Sequence, residues 1–422
     1  MSRKVILLIS LLILMGIFIY IIIISKPKND NIEPISIVSK VEIIEDDILI
    51  DEKKEISIKN DNIDVNKQEI FVETLKTERL ASNIIQLKWE NDIDDMVDLY
   101  IVKKRLISNN IPQGEWKKVE TIKSGLSEYV IEDKLATQNP VQYEYRVDVQ
   151  LNDSKYKAIE GKTVRASNIM VCIDPGHYAA GESSPSDVIT QYTEGVFVLE
   201  IAKELKNILK DKYGIDSYMT RDGESISLGG YIDKELDKKH ISLRGKYASL
   251  NKSDLFISLH TNANKDDANG YEKWNQPIEI NKTIIILNTL GLESENILKI
   301  ANSVGINVTK INFDLGISNT SDFQVVSDAN DIIQWTDEYN DGLNMVGSIV
   351  RRVNDENKDY YGVLRGATEV GISGMLIEHG HHTIEEYRKI SKEDLAMKYA
   401  EADAYGIAYG YGFVNDIEKK DK

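Results

Sequence analysis

One cysteine in 422 residues, Cys172, rules out an intramolecular disulfide, so the folded parts of this chain must be held by apolar cores or by a metal. Positive charge is also in deficit. There are 51 Lys and Arg against 69 Asp and Glu, for a net charge of -18, and that balance argues against a nucleic-acid partner, which needs a basic surface. Histidine occurs only six times, so each histidine placed on a turn or at a strand end calls for a reason. The length is too great for one ordinary core and suits two domains with connecting segments.

The chain does have a long apolar run. Val5 to Ile24 is broken only by Ser10 and Gly16, and a helix of that length spans a bilayer core of about 30 Å. A cleaved signal peptide would have a shorter apolar region and a small-residue cleavage site, so residues 1–25 are expected to form an uncleaved transmembrane anchor. Arg3 and Lys4 favour a cytoplasmic N-terminus, although Lys26 and Lys28 weaken the asymmetry. The expected location is therefore the cell membrane, single-pass, with the body of the chain extracytoplasmic.

Residues 26–77 contain no Gly and no Trp and are rich in Ile, Asp, Glu, Lys and Asn, which reads as a solvated stalk or linker. From about residue 78 to 166 short β-rich runs separated by Asn, Asp, Gly and Ser clusters predict a β-sandwich. Trp89, Tyr100, Trp116 and the "YEYRV" of Tyr143 to Val147 make this region resemble a fibronectin type III domain. In that family a Trp packs between the sheets and a late-strand Tyr forms a corner. The resemblance implies a spacing or binding role, with a protein partner possible here or at the catalytic rim.

Residues 167–415 change texture again. Strand and helix patterns alternate, as in Ile169 to Ile173, Gly195 to Leu209, Asp216 to Thr220, Leu243 to Leu250 and Asp254 to His260, and "GMLIEHG" later reads as another strand. The expected fold is an α/β catalytic domain, a mostly parallel sheet flanked by helices, with a charged tail over 416–422. Ligands in such sheets gather at the carboxyl ends of the strands. His177, His260 and Glu378 lie at or near such ends, and Glu194 opens a helix beside the first. Two imidazoles and a carboxylate are a usual ligand set for catalytic zinc.

These residues carry a second resemblance. Asp174-Pro175-Gly176-His177, Glu194 before an amphipathic helix, "YMTR" ending in Arg221, "ISLRGKYASLNKSDLFISLHTNAN" with Arg244 and His260, and "GMLIEHGHH" with Glu378 resemble the zinc-dependent N-acetylmuramoyl-L-alanine amidases called amidase 3. The resemblance implies Zn2+ held by His177, Glu194 and His260, Glu378 as catalytic acid and base, and peptidoglycan as substrate. It leaves two other readings open: another zinc peptidase or deacylase on the same scaffold, and a catalytically silent recruitment module. Arg221 and Arg244 read as surface or structural ion pairs, outside the catalytic set.

The chain departs from the family pattern in three places. Tyr178 replaces the glycine after the Asp-Pro-Gly-His turn, segments 229–241 and 316–340 look additional, and His379 and His381 stand where apolar residues are common. Strand geometry points His379 and His381 away from Glu378.

Overall fold

The computed structural model describes residues 67–90, 92–179, 192–264, 272–335 and 347–415. The expected transmembrane anchor, most of the stalk and the charged tail lie outside these residues. Among the described residues no helix is long and apolar enough to cross a membrane.

Seven strands form two antiparallel sheets. Strands β1 (Lys76–Ala81), β2 (Ile84–Glu90) and β5 (Glu128–Lys134) make one, and β3 (Val97–Ser108), β4 (Ile111–Lys123), β6 (Gln142–Leu151) and β7 (Val164–Ser167) make the other. Alternating apolar residues of both sheets, among them Ile85, Leu87, Trp89, Tyr100, Val102, Tyr145 and Val147, share one core. Trp89 lies flat against Tyr129, with ring centroids 5.2 Å apart. Trp116 does not join this core: Arg105 and Arg146 clamp it, each 4.4 Å from the ring, because its position on β4 faces outward.

The expected stalk overlaps this core. Ile70, Val72 and Leu75 are buried in it, and Glu69–Ile70 pairs in parallel with Lys157–Ala158. The strand partner is supplied by residues almost ninety positions later, which local composition does not reveal.

The α/β part is built on β8 (Met170–Pro175), β9 (Asp216–Met219), β10 (Leu255–Asn262), β11 (Ile284–Leu287), β12 (Gly347–Arg351) and β13 (Gly374–His381). Their spatial order is β9-β8-β10-β13-β11-β12, extended by short strands at Phe323–Gln324 and Ile333–Gln334. The sheet is mixed. Each of these pairings is parallel except β11 with β13, which is antiparallel. The run Ile284-Ile285-Ile286-Leu287 is apolar on both faces and carries no mark of direction, so only the fold shows which way it runs.

The helices are α1 (Glu194–Tyr213), α2 (Asp233–Lys239), α3 (Ser242–Lys246), α4 (Glu295–Asp314), α5 (Gly362–Glu369) and α6 (Lys392–Gly410). One face of the sheet packs Val171, Ile173, Leu255 and Ile257 with α1, α4 and α6. The other packs Cys172, Phe256 and Leu376 with Val363, Leu364 and Ala367 of α5. Helix α1 buries Phe197, Val198, Ile201, Leu205 and Leu209 as one stripe and stops at Gly214, whose φ of +61° suits glycine.

Polar contacts fasten the sandwich to the α/β part. The buried Arg79 guanidinium donates to the carbonyls of Asn168, Asn251 and Lys252 and to Asp254, and the Gln142 amide donates to the Tyr213 carbonyl. Five hydrogen bonds of this kind across a junction resist hinge motion better than a loose linker would.

Candidate metal centre

Strands β8, β10 and β13 run parallel, so their carboxyl ends share one edge. The chain leaves β8 through Gly176 into His177, which has a φ of +55° and so points its imidazole back over the sheet edge. His260 sits on β10, directly paired with Glu378 on β13. Glu194 is the first residue of α1, where the positive end of the helix dipole favours a carboxylate.

These placements converge. Ligand atoms of His177, Glu194 and His260 all lie within 4.8 Å of one another. His177 Nε2 is 3.1 Å from Glu194 Oε2, and His260 Nδ1 is 2.7 Å from Glu194 Oε1. The Thr261 backbone N–H donates to Glu194 Oε1 as well, at 3.2 Å. Burial opposes the charge on Glu194, but the imidazoles of His177 and His260 outweigh it and hold its carboxyl well below the usual carboxylate range.

The proton on His260 can be placed by counting donors. Ser258 Oγ donates its one proton to Asp174 Oδ2 at 2.7 Å, so towards His260 Nε2, 3.1 Å away, it can only accept. Nε2 therefore carries a proton, and in the neutral ring Nδ1 presents its lone pair to the Glu194 carboxylate. Two lone pairs facing each other at 2.7 Å require a positive charge, either a second proton on the ring or a cation among the three side chains. This donor set fits a divalent metal with nitrogen and oxygen ligands.

Glu378 faces the same edge. Its Oε2 is buried and has no hydrogen-bond partner among the described residues. Burial pushes its carboxyl up to about 7, with His260 and His177 opposing the shift and the Glu194 charge adding to it. A carboxyl held there can both take and return a proton near neutral pH.

Both arginines are buried, and Arg244 forms the structural ion pair that its sequence reading allowed. Arg221 donates to the carbonyls of Pro175, Gly176, His177, Gly195 and Gly223. Arg244 is 1% exposed, pairs with Asp174 at 2.8 Å and Asp237 at 3.0 Å, and donates to the Pro175 and His177 carbonyls. Together they fix the backbone of the turn that carries His177. Asp174, which sequence reasoning passed over except as part of the turn motif, is the hub: Thr220, Ser258 and Arg244 all donate to it. Its burial raises its pKa, and Arg244 with the two hydroxyls reverses that, leaving the carboxyl below the usual range. The Thr220-Arg221 pair ending the "YMTR" strand was the available signal.

His379 and His381 stay away from the metal ligands' side chains. His379 is fully buried, stacks on Tyr399 at 5.0 Å, and bonds Asp403 Oδ2 at 2.9 Å and the His260 carbonyl at 3.0 Å. His381 is buried as well, and burial, with His382 and Lys282 nearby, pushes its pKa down to about 3. Tyr178, in place of the family glycine, packs on the apolar cluster of Ile226, Leu228 and Leu236.

Residues 171–409, more than half of the chain, match the protein-family model described as Amidase_3, N-acetylmuramoyl-L-alanine amidase. No curated protein matches the chain. Similar solved structures include the catalytic domain of CwlV, an N-acetylmuramoyl-L-alanine amidase from Bacillus (Paenibacillus) polymyxa var. colistinus, 18% identical, covering 57% of this chain and 96% of that one with a TM-score of 0.36. An N-acetylmuramoyl-L-alanine amidase from Clostridium difficile 630 is 19% identical over 57% of this chain and 94% of its own, TM-score 0.35. The CwlD amidase from Clostridioides difficile, solved in complex with the GerS lipoprotein, is 15% identical over 57% and 97%, TM-score 0.35.

Proposed function

Because this chain belongs to the N-acetylmuramoyl-L-alanine amidase family, whose reaction is hydrolysis of the amide between N-acetylmuramate and L-alanine in peptidoglycan, we propose that it works as a zinc enzyme with His177, Glu194 and His260 as ligands and Glu378 as acid and base. The observation that carries the metal assignment is the convergence of three ligand atoms within 4.8 Å, with the 2.7 Å approach of His260 Nδ1 to Glu194 Oε1 left in need of a positive charge by the donor count. Zinc bound there would supply a Lewis acid that polarises the scissile carbonyl and makes hydroxide available near neutral pH.

The protein's own groups do the rest. The imidazoles beside Glu194 favour its carboxylate despite burial, so it offers a negative ligand. Glu378, with one oxygen unpartnered, takes a proton from the attacking water and returns it to the leaving alanine nitrogen. Asp174, through Ser258, holds the His260 ring in one tautomer.

The N-terminal apolar segment over residues 1–25 would anchor the chain in the membrane, with the catalytic domain on the extracytoplasmic side beside its substrate. The fibronectin type III-like sandwich would act as a spacer or docking module. Its buried contacts to the α/β part favour a fixed spacer.

The test is metal content and wall hydrolysis for the wild type beside Glu378→Gln. The expected result is about one zinc in each protein, new free L-alanine amino termini from the wild type, and turnover about 100- to 10,000-fold lower in the variant. D-amino or diaminopimelate termini would replace this reading with that of a peptidase. Zinc binding without any cleavage would favour the silent module.

A further inference from the structure

A groove of about 290 Å3 opens beside His177 and His260, and Lys234, Lys238, Ile241 and Val363 help to line it. Both lysines belong to α2, in the additional segment 229–241. They are one helical turn apart and so lie on one side of the helix.

The helix is firmly seated. Leu236 is fully buried in the cluster with Ile226 and Leu228, the Tyr231 ring stacks on His240 at 3.6 Å, and Asp237 bonds Arg244 at 3.0 Å. Through Arg244 it is tied to Asp174 and to the turn carrying His177. The position of the two lysines relative to the metal ligands is thus built into the fold.

Charge points the same way. Arg244 is shared by Asp174 and Asp237, which leaves one negative charge against the two lysines, and neither Lys234 nor Lys238 has an ion-pair partner among the described residues. Two unpaired positive charges on one wall, in a chain of net charge -18, make a local field opposite to that of the whole protein. Ile241 and Val363 add apolar lining that suits a methyl group, and the lysine ammonium groups suit a carboxylate.

We propose that α2 and the groove beneath it form a subsite for an acidic stem peptide, in which Lys234 and Lys238 pair with a free carboxylate on the residue that follows L-alanine. The inference rests on the amidase reading of the adjoining centre and adds a preference for stems whose carboxylates are not amidated.

The experiment compares purified peptidoglycan with free stem carboxylates against the same material amidated with ammonia and carbodiimide, scoring new L-alanine amino termini. The wild type is expected to cleave the free form with a kcat/KM about fivefold higher, the size that two partly exposed ion pairs supply. In Lys234→Ala/Lys238→Ala that ratio falls towards one, chiefly through KM, and in Lys234→Arg/Lys238→Arg it is retained. Equal cleavage of both substrates by the wild type overturns the subsite, as does a ratio that survives the double alanine change. A wild type that releases L-alanine termini from neither substrate overturns the amidase reading itself, a separate result.

Discussion

Adding one methyl group to the turn, as Gly176→Ala, should disable the metal centre while leaving the fold standing. A Cβ at this position would lie 2.4, 2.6 and 2.7 Å from Cε1, Nε2 and Nδ1 of His260, where ordinary contact between such atoms is about 3.5 Å. The backbone cannot retreat: the Gly176 N–H donates to the Leu259 carbonyl at 2.9 Å, and its carbonyl accepts from Arg221 at 2.9 Å. The ring must therefore move by about 1 Å, which stretches its contacts to Glu194 and Ser258. A displacement of that size at a reacting centre costs about 100-fold in rate, and a misplaced ligand costs about 10- to 100-fold in metal affinity. Local overpacking costs stability about 1–3 kcal/mol. The assays are zinc competition against a chromophoric chelator, wall hydrolysis and urea unfolding on the same preparations. If Gly176→Ala binds zinc like the wild type and turns over within threefold of it, the turn does not hold His260 as described and the reasoning is refuted.

Three further outcomes follow from the same geometry. Arg244→Met leaves the buried Asp174 carboxylate without its charge partner, although Arg221 still serves the Pro175 and His177 carbonyls, so urea unfolding should show a loss of about 3–5 kcal/mol; a loss under 1 kcal/mol would mean the pair is not what holds the turn. In metal-free protein, carboxyl NMR should find one glutamate titrating near 7 that is missing in Glu378→Gln, protonated below that pH and ionised above it, and added zinc should lower its midpoint because a nearby cation favours the carboxylate. Burial alone would lower the pKa of His379, but Asp403 overrides it and the net shift is upward, so its pairing stabilises fully below the unfolded value of about 6.5 and is lost as pH rises through the folded value; unfolding free energy measured across pH should fall over that upper range in the wild type and lose that slope in His379→Leu.

Much of this was legible along the chain because it is local. The turn after β8 announces itself by Asp174-Pro175-Gly176-His177, α1 by its buried stripe and the closing Gly214, and the sandwich by alternating strands around Trp89. Trp116 shows where such reading stops. Its residue type suggests a core position, but the outward face of β4 and the guanidinium groups of Arg105 and Arg146 decide otherwise. Ile70 and Val72 show the converse, since a segment with stalk-like composition becomes core once a distant strand pairs with it. Arg244 forms the structural ion pair read for it, but nothing in the neighbourhood of either arginine announces that both also donate to backbone carbonyls on another strand's turn.

Residue type and spacing, then, determined which side chains could do chemistry: two imidazoles and two carboxylates at strand and helix ends, and a family pattern over them. Tertiary structure decided what those groups are to one another. It ran β11 antiparallel to β13, brought His260 level with Glu378, and spent the Ser258 proton on Asp174 so that the His260–Glu194 contact needs a positive charge. Direction of a strand, identity of a proton donor and depth of burial depend on partners tens of residues away in sequence. They exist only once the chain has closed on itself.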